Sequence, residues 1–447
     1  MASKDKFFKH QLFVKGPAIA KKNYKSPFLL GRPGSYELLV NNKIIYIRGV
    51  AYNPAHDWRD GDLPLTRRQI EKDFRYIKEM GANTIRRYGS GFYDYNILNI
   101  AEENEINVQY GFWFDPKIDY YADSAKVQEY IDEVVERVEK YKDHPSIIAW
   151  SLGNESWGLL KHRFSQPYLT KVRQAYVNLI EILAQRVHEI DPTRPVFSCM
   201  EHLESQLAGE LAAFRDGAPS VDVMGVNSYY QEQISKLHEV TWQMDSLRPY
   251  LVSEFGPRGY WNVTYNKTRN GSLIEQSDAE KAEWYKTQWN QYILANKGRN
   301  IGGFAYCWHD RMEGTYTWFG LTDHQGRLKP AYFALKEEWT KVKEQYFPQF
   351  KIEAPYDIKP GETYTYKAVS NINYRDDLNY EWYLLKDEYL DEVEDIEVSD
   401  DDKAVTVTVP TEPSDYRLYL FVTDKNGDRV TTASVPMKVK KTVPKIF

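Results

Sequence analysis

The run SIIAWSLGNES (146–156) is apolar through Ile147, Ile148, Ala149, Trp150 and Leu152, and then ends on Asn154 and Glu155. A near-continuous apolar run reads as a strand buried on both faces, as strands are in a parallel sheet, rather than as the alternating pattern of a half-solvated one. Working outward, seven further runs share this texture: IIYIRGV (44–50), TIRRY (84–88), NVQYGFWF (107–114), PVFSC (195–199), VDVMGVN (221–227), PYLVSE (249–254) and IGGFAYCW (301–308). The segments between them are spaced as helices. Ile70, Phe74 and Ile77 share a face after Thr66, whose spacing to Gln69 fits a capping box, and Gly81 closes the helix. Val127, Tyr130, Ile131, Val134, Val138 and Tyr141 repeat the pattern behind Asp123 and Ser124, and Tyr176, Leu179, Ile180, Leu183 and Val187 do so before Asp191-Pro192. Eight strand–helix units predict an α/β fold, a (β/α)8 TIM barrel. A doubly wound open sheet is the alternative, but no GxGxxG follows any of these strands.

The 447 residues leave room for more than the barrel. After about residue 346 the sequence turns to short strands and turns: TYTYKAV, YEWYLL, AVTVTV, YRLYLFVTD and ASVPMKV, with an Asn426-Gly427 turn. This predicts a small antiparallel, immunoglobulin-like β-sandwich. The expected organisation is an N-terminal extension over 1–35 packing on the barrel, the barrel over 36–346, and the sandwich over 347–447. Ten of the sixteen residues from Asp387 to Asp402 are acidic, without EF-hand spacing, and read as a solvated loop.

Composition narrows the function. Lys and Arg number 58 against 64 Asp and Glu, giving net charge −6, which argues against a nucleic-acid surface. No apolar stretch is long enough for a membrane span, and the polar start MASKDKFFKH shows no signal peptide, so the compartment stays open. Cys199 and Cys307 make no disulfide framework. No HExxH or comparable spacing appears, so neither a metal nor a cofactor is expected. The 35 Tyr and 12 Trp exceed what a core needs, and several fall near strand ends.

In such a barrel the C-terminal strand ends face the active site. They carry Asn53, Arg86 or Arg87, Trp113, Asp115, Asn154, Glu155, Glu201, His202, Asn227, Tyr229, Glu254, Trp308, His309 and Asp310. Glu155 and Glu254 stand out, because each ends a strand that is otherwise apolar, and strands four and seven lie on opposing sides of an eight-stranded barrel. Two facing carboxyl groups are what glycosidic cleavage requires: one protonated for the leaving oxygen, one ionised to attack or to activate water. Repulsion raises the pKa of one, and a cation such as Arg86 keeps the other charged.

HPSIIAWSLGNESWG resembles the acid/base segment of glycoside hydrolase family 2, of clan A retaining β-glycosidases. IYIRGVAYNP, NTIRRY, DPTRPV, VNSYY, LVSEFG and GGFAYCWHD are similar to its other barrel segments, in the family's order, over roughly residues 35 to 340. The resemblance implies Glu155 as general acid/base, Glu254 as nucleophile and Asn154 as donor to the sugar 2-hydroxyl. It further implies Arg86 and Tyr229 as contacts of the nucleophile and Trp308 as the floor of the attacked sugar's subsite. NTIRRYG and RGVAYNP also resemble fungal β-1,3-glucanosyltransferases. The expectation is therefore a retaining hydrolase of a β-linked oligosaccharide or polysaccharide, a β-glucan among the candidates. The alternatives are a β-glucan transglycosylase using the same two glutamates and a non-catalytic glycan-binding protein. Asn53, Trp113, His202 and His309 are candidate sugar contacts, as are His56 and Asp57 on the first loop. Three N-x-[ST] triplets, at Asn262, Asn266 and Asn270, mark an exposed loop. Trp382 or Tyr383 could bind glycan from the sandwich, although bracing is the commoner role of such a domain.

Overall fold

The computed structural model describes residues 13–15, 29–30, 36–40, 43–57, 61–261, 267–268, 271–344, 347–355, 358–372, 378–386, 396–398 and 402–440. Eight parallel strands close into a barrel in chain order: β1 (Ile47–Ala51), β2 (Thr84–Arg86), β3 (Asn107–Phe112), β4 (Ile147–Asn154), β5 (Val196–Glu201), β6 (Val223–Asn227), β7 (Tyr250–Phe255) and β8 (Asn300–Ala305). All eight coincide with the apolar runs. The first differs in one respect, because IIYIRGV is two strands rather than one. Lys43–Ile45 pairs antiparallel with Glu37–Val40, and the barrel strand begins only at Ile47. Tyr46 marks the break, its hydroxyl held by the carbonyl of Ile293 at 2.8 Å and by Asn300 Oδ1 at 2.7 Å.

The helices follow their stripes. α1 (Arg67–Glu79) buries Ile70, Phe74 and Ile77, and Thr66 accepts the Gln69 N–H at 3.2 Å as its cap. α2 spans Asp94–Glu103. α3 (Ser124–Tyr141) is capped by Asp123 and buries Tyr130, Val134 and Val138, and α4 (Tyr168–Ile190) buries Tyr176, Leu179, Ile180, Leu183 and Val187. α5 (Leu207–Gly217), α6 (Gln231–Met244), α7 (Asp278–Thr287) and α8 (Pro330–Thr340) follow, and a single helical turn spans Ser156–Leu159 directly after β4. None of the described helices is long and apolar enough to cross a membrane.

The chain forms two compact units, the first comprising 1–52, 65–256 and 287–306. In it, Ile47, Ile148, Phe197, Val223, Leu251 and Ile301 meet inside the barrel, and Tyr36, Leu38 and Val40 of the N-terminal hairpin join the same cluster. That end is therefore plugged with apolar side chains, and polar chemistry is left to the C-terminal strand ends. The DPTRPV stretch is a structural clamp, in which Asp191 accepts from Trp150 Nε1 at 2.8 Å and from Arg194 Nη1 at 2.9 Å.

The second unit holds 53–64, 257–286 and 307–447. Its sandwich has two antiparallel sheets. One is built from β9 (Phe350–Glu353), β10 (Thr363–Ser370), β12 (Ile396–Val398) and β13 (Ala404–Thr408), and the other from β11 (Leu378–Lys386), β14 (Asp415–Asp424) and β15 (Val430–Lys438). The Asn426-Gly427 turn joins β14 to β15, as its sequence predicts. Trp382 lies in the sandwich core at 6% exposure with its indole N–H on the Asp402 carbonyl, so it offers no ring face to a glycan. Most of the acidic 387–402 stretch, the asparagines of the three glycosylation-type triplets and most of 1–35 lie outside the described residues, as do the side chains of His56 and Asp57.

A buried ionic network holds this unit together. Lys329 Nζ meets Asp310 Oδ2 at 2.9 Å, Lys281 pairs with Glu275, and Asp278 accepts from Thr432 of β15. Burial pushes Asp310 up to about 6 against the pull of Lys329, whereas the two lysines overcome burial at Glu275 and hold it near 2. Breaking such a pair strands a buried charge. Lys329→Met should therefore cost about 3–5 kcal/mol, read as a lower urea midpoint. Lys329→Met with Asp310→Leu should recover most of that loss, and recovery of none of it would show that the pair is not what matters.

Candidate active site

Glu254 stands near the C-terminal end of β7, 5% exposed, and three donors meet its two oxygens. Arg86 Nη1 from the end of β2 reaches Oε1 at 3.0 Å, the Tyr88 hydroxyl reaches Oε1 at 2.8 Å, and the Tyr229 hydroxyl reaches Oε2 at 2.5 Å. An ionised carboxylate only accepts hydrogen bonds, and this set supplies nothing but donors. Burial, and then the charge of Glu254, push the Tyr229 phenol far above its usual range, so it keeps the proton it donates.

The guanidinium of Arg86, 1% exposed, reaches further around the barrel. Its Nη1 also donates to the Ser253 carbonyl at 2.8 Å, and its Nη2 donates to Asn154 Oδ1 at 2.8 Å. Asn227 Nδ2, from the end of β6, donates to the same Asn154 oxygen at 3.0 Å and to Glu155 Oε1 at 2.7 Å. Arg86, Asn154 and Asn227 thus join the two glutamates in one continuous network. Asn154 has its oxygen fully engaged, which orients the amide and leaves its NH2 without a partner among the described residues.

Glu155 reaches this position through strained backbone. Its φ is 58°, the left-handed region, which costs a non-glycine residue on the order of 1–3 kcal/mol. The register of β4 against β5 shifts between Ser151 and Asn154, and the Glu155 N–H is fixed on the Cys199 carbonyl at 2.9 Å. Gly153 makes the turn with φ 76°, and a Cβ there would lie 2.2 Å from the Tyr176 hydroxyl, so no other residue fits. Glu155 keeps some accessible surface, yet protein surrounds its carboxyl. Burial, and then the charge of Glu254, raise it to about 8, against the opposing pull of Asn227 and Arg86. At neutral pH it holds its proton.

Of the residues expected from sequence, Glu155, Glu254, Arg86, Asn154 and Tyr229 are brought together. Arg87 is not among them: it reaches Asp94 at 3.5 Å, on the other side of the strand. Trp113 stands 45% exposed just beyond β3. His202 is 7% exposed, its Nδ1 paired with Ser228 Oγ at 2.8 Å, and burial lowers it to about 4, so it is a neutral packing group. In the second unit, Asn53 spends its amide on main chain: it donates to the His309 and Pro54 carbonyls at 3.0 Å and accepts the His309 N–H at 3.2 Å. His309 is 1% exposed with Nδ1 on Thr322 Oγ1, so the two residues fasten loops to each other and present nothing to a sugar. Trp308 has 0% exposure and sits edge-on against Tyr332, so the expectation that it floors a sugar subsite is not met. Trp157 is likewise covered, with the Arg173 guanidinium 3.6 Å above its ring.

Two residues escape the reading of strand ends. Tyr88 donates to Glu254, and its ring underlies Arg86 at 4.4 Å; Tyr306 lies edge-on to both Tyr88 and Tyr229, at 6.4 and 6.1 Å. The signal was the strand period of two, since Tyr88 is Arg86 plus two. Among the described residues there is no group of three or more His, Cys, Asp or Glu side chains arranged to hold a metal.

Residues 35–344 match the family model for glycosyl hydrolases family 2, TIM barrel domain. The β-glucuronidase of dog (Canis lupus familiaris) is 28% identical over 336 residues, covering 68% of this chain and 45% of that protein. The human β-glucuronidase is 26% identical over 338 residues, with the same 68% and 45% coverage. The chain thus spans under half the length of these curated relatives. Among solved structures, a Bacteroides uniformis β-glucuronidase superposes with TM-score 0.53 at 17% identity, over 94% of this chain and 49% of that one. A GH2 β-galacturonidase from Eisenbergiella tayi bound to galacturonate gives TM-score 0.52 at 18% identity, over 69% and 53%. At such identity these two likenesses speak to the fold. With more than half of its residues matched to the family model, the chain belongs to glycosyl hydrolase family 2 through its TIM-barrel domain.

Proposed function

We propose that this chain is a β-glycosidase that cleaves a β-linked glycan by double displacement. The observation that carries the reading is the single network from Glu254 through Arg86, Asn154 and Asn227 to Glu155, with donors alone around one carboxyl and a raised pKa on the other. Glu155 gives its proton to the glycosidic oxygen while Glu254 attacks the anomeric carbon from the opposite face. As the glycosyl ester forms, the Glu254 charge disappears, and with it one of the causes holding Glu155 up. Glu155 then falls toward an ordinary carboxylate and can take a proton from the incoming water. The outward NH2 of Asn154 suits the sugar 2-hydroxyl.

The mammalian relatives are β-glucuronidases by name, at 25–28% identity, and none of the comparisons points to a β-glucan. Transfer to a sugar hydroxyl would use the same two glutamates, and sizing the products formed with an oligosaccharide acceptor separates it from hydrolysis. A panel of aryl β-glucosides, β-galactosides and β-glucuronides identifies the glycon, and no turnover on any of them, nor on natural β-glycans, would sink the reading.

Glu254→Ala should nearly abolish turnover. Glu155→Ala should retain hydrolysis of substrates whose leaving group needs no proton, and should give glycosyl azide when azide is added; absence of both would misassign the acid. Because Glu155 must be protonated, and its pKa lies near 8 rather than near 4.5, kcat/KM should stay high through neutrality and fall as pH rises through about 8. A fall beginning near pH 5 would contradict this. Tyr88→Phe removes one hydrogen bond to a charged group, worth about 1.5–3 kcal/mol, and should lower kcat/KM roughly 10- to 100-fold. An unchanged rate would make Tyr88 a packing residue only.

A further inference from the structure

Acids outnumber bases in this chain, yet none occurs between Glu155 and Glu181, a stretch that holds Lys161, His162, Arg163, Lys171 and Arg173. Three of these are occupied: Lys161 pairs with Glu201 at 2.9 Å, Arg173 covers Trp157, and Lys171 lies 5.5 Å from the Tyr121 ring. His162 and Arg163 are different. With Lys117, Pro116 and Leu159 they line a depression of about 530 Å³. All three basic side chains are exposed, and among the described residues none makes a side-chain ion pair or hydrogen bond. The acids nearby are already engaged: Glu201 with Lys161, Asp119 with the Tyr168 hydroxyl, and Asp115 with the backbone N–H of Lys117.

The depression sits beside Glu155 by construction. The Leu159 N–H donates to the Glu155 carbonyl at 3.0 Å, so one wall is a single helical turn away. The other wall is tied in by Ser156, whose hydroxyl donates to the Phe114 carbonyl at 2.7 Å, two residues before Pro116. His162 is seven residues past Glu155, roughly 10 Å at 1.5 Å of helical rise per residue. Both loops follow β3 and β4, whereas the groups that hold Glu254 come from the ends of β2 and β6. A glycan whose bond is protonated by Glu155 extends its leaving part on the Glu155 side. On that side Trp113 is 45% exposed, and the depression carries an uncompensated ammonium and a guanidinium fork suited to planar oxyanions.

We propose that this basic depression is a leaving-group subsite for an anionic saccharide, one bearing a carboxylate or a sulfate ester. The proposal deepens the glycosidase reading and rests on Glu155 as its proton donor. The test is calorimetric binding to the full chain, at low and at physiological salt, of a galacturonate tetrasaccharide, a carrageenan tetrasaccharide and cellotetraose. The first carries only carboxylates, the second only sulfates, and the third no charge. Charged tetrasaccharides should bind more tightly than cellotetraose and weaken with salt, and Lys117→Ala with Arg163→Ala should weaken them roughly tenfold. Whichever charged arm binds identifies the anion. Equal binding of cellotetraose, or undiminished binding by the double variant, overturns the proposal. The aryl-glycoside panel is read separately on the same protein. Turnover without charge-dependent binding removes the subsite and keeps the glycosidase. Charge-dependent binding without turnover of any β-glycoside removes the glycosidase and the leaving-group assignment with it.

Discussion

A buried guanidinium is the constraint on which the candidate site turns. Arg86 is 1% exposed at the centre of a barrel mouth, and an uncompensated cation there would be costly. Its compensation comes from three strands: the Glu254 carboxylate and the Ser253 carbonyl of β7, the Asn154 oxygen of β4 and, more distantly, Asn227 of β6 at 3.4 Å. Each of those acceptors is fixed by the need to satisfy the arginine. The arginine thus places Glu254 electrostatically, and it places Asn154 and Asn227 by hydrogen bonding.

Closure of the barrel is what lets one side chain do this. β2 contributes only three residues, yet because the sheet returns on itself its last residue looks across at the ends of β4, β6 and β7, two, four and three positions away around the barrel. An open sheet would have sent these same side chains along a row. The local sequence then makes the fine adjustment. The Gly153 turn and the left-handed Glu155 spend backbone strain to swing a carboxyl inward, next to the Asn227 amide. The strain persists because Cys199, Tyr176 and the network hold the loop from several directions.

Much of this was legible in the sequence, and the exceptions share a cause. Unbroken apolar runs identify buried strands, and a polar residue closing such a run marks the mouth, so Glu155, Glu254, Asn154 and Tyr229 could be picked out. Direction was harder. Arg86 and Arg87 differ only by which way a strand residue points, and Tyr88 was missed although the same alternation puts it on the side of Arg86. Beyond the last strand residue alternation gives no guidance, and there the reading failed. Trp308 is covered, and Asn53 and His309 bond one another's main chain, because loops must satisfy their own backbone before they can offer groups to a ligand. Trp382 shows the same ambiguity: an aromatic in a strand that alternates can point to either face, and this one faces the core, in line with the bracing role favoured for the sandwich. The break at Tyr46 shows no signature in an apolar run, since it depends on Ile293 and Asn300, about 250 residues away.

The two glutamates are chemically identical, so any difference in their protonation belongs to their surroundings. Glu254 meets three donors, one of them a full positive charge, which is the environment an anion needs. Glu155 meets one amide N–H and shares its neighbourhood with the anion that Arg86 has already stabilised. Asn227 sits between them and has a single orientation open to it: its oxygen faces the Ser253 hydroxyl at 2.6 Å, which turns its NH2 toward Glu155 and Asn154. Stabilising one carboxylate therefore destabilises the charge on the other. Burial of Glu155 is the larger cause of its raised pKa, and the neighbouring anion adds to it. The part owed to the anion follows from one arginine lying closer to one acid than to the other, and that part would relax once the favoured anion is consumed in a covalent bond.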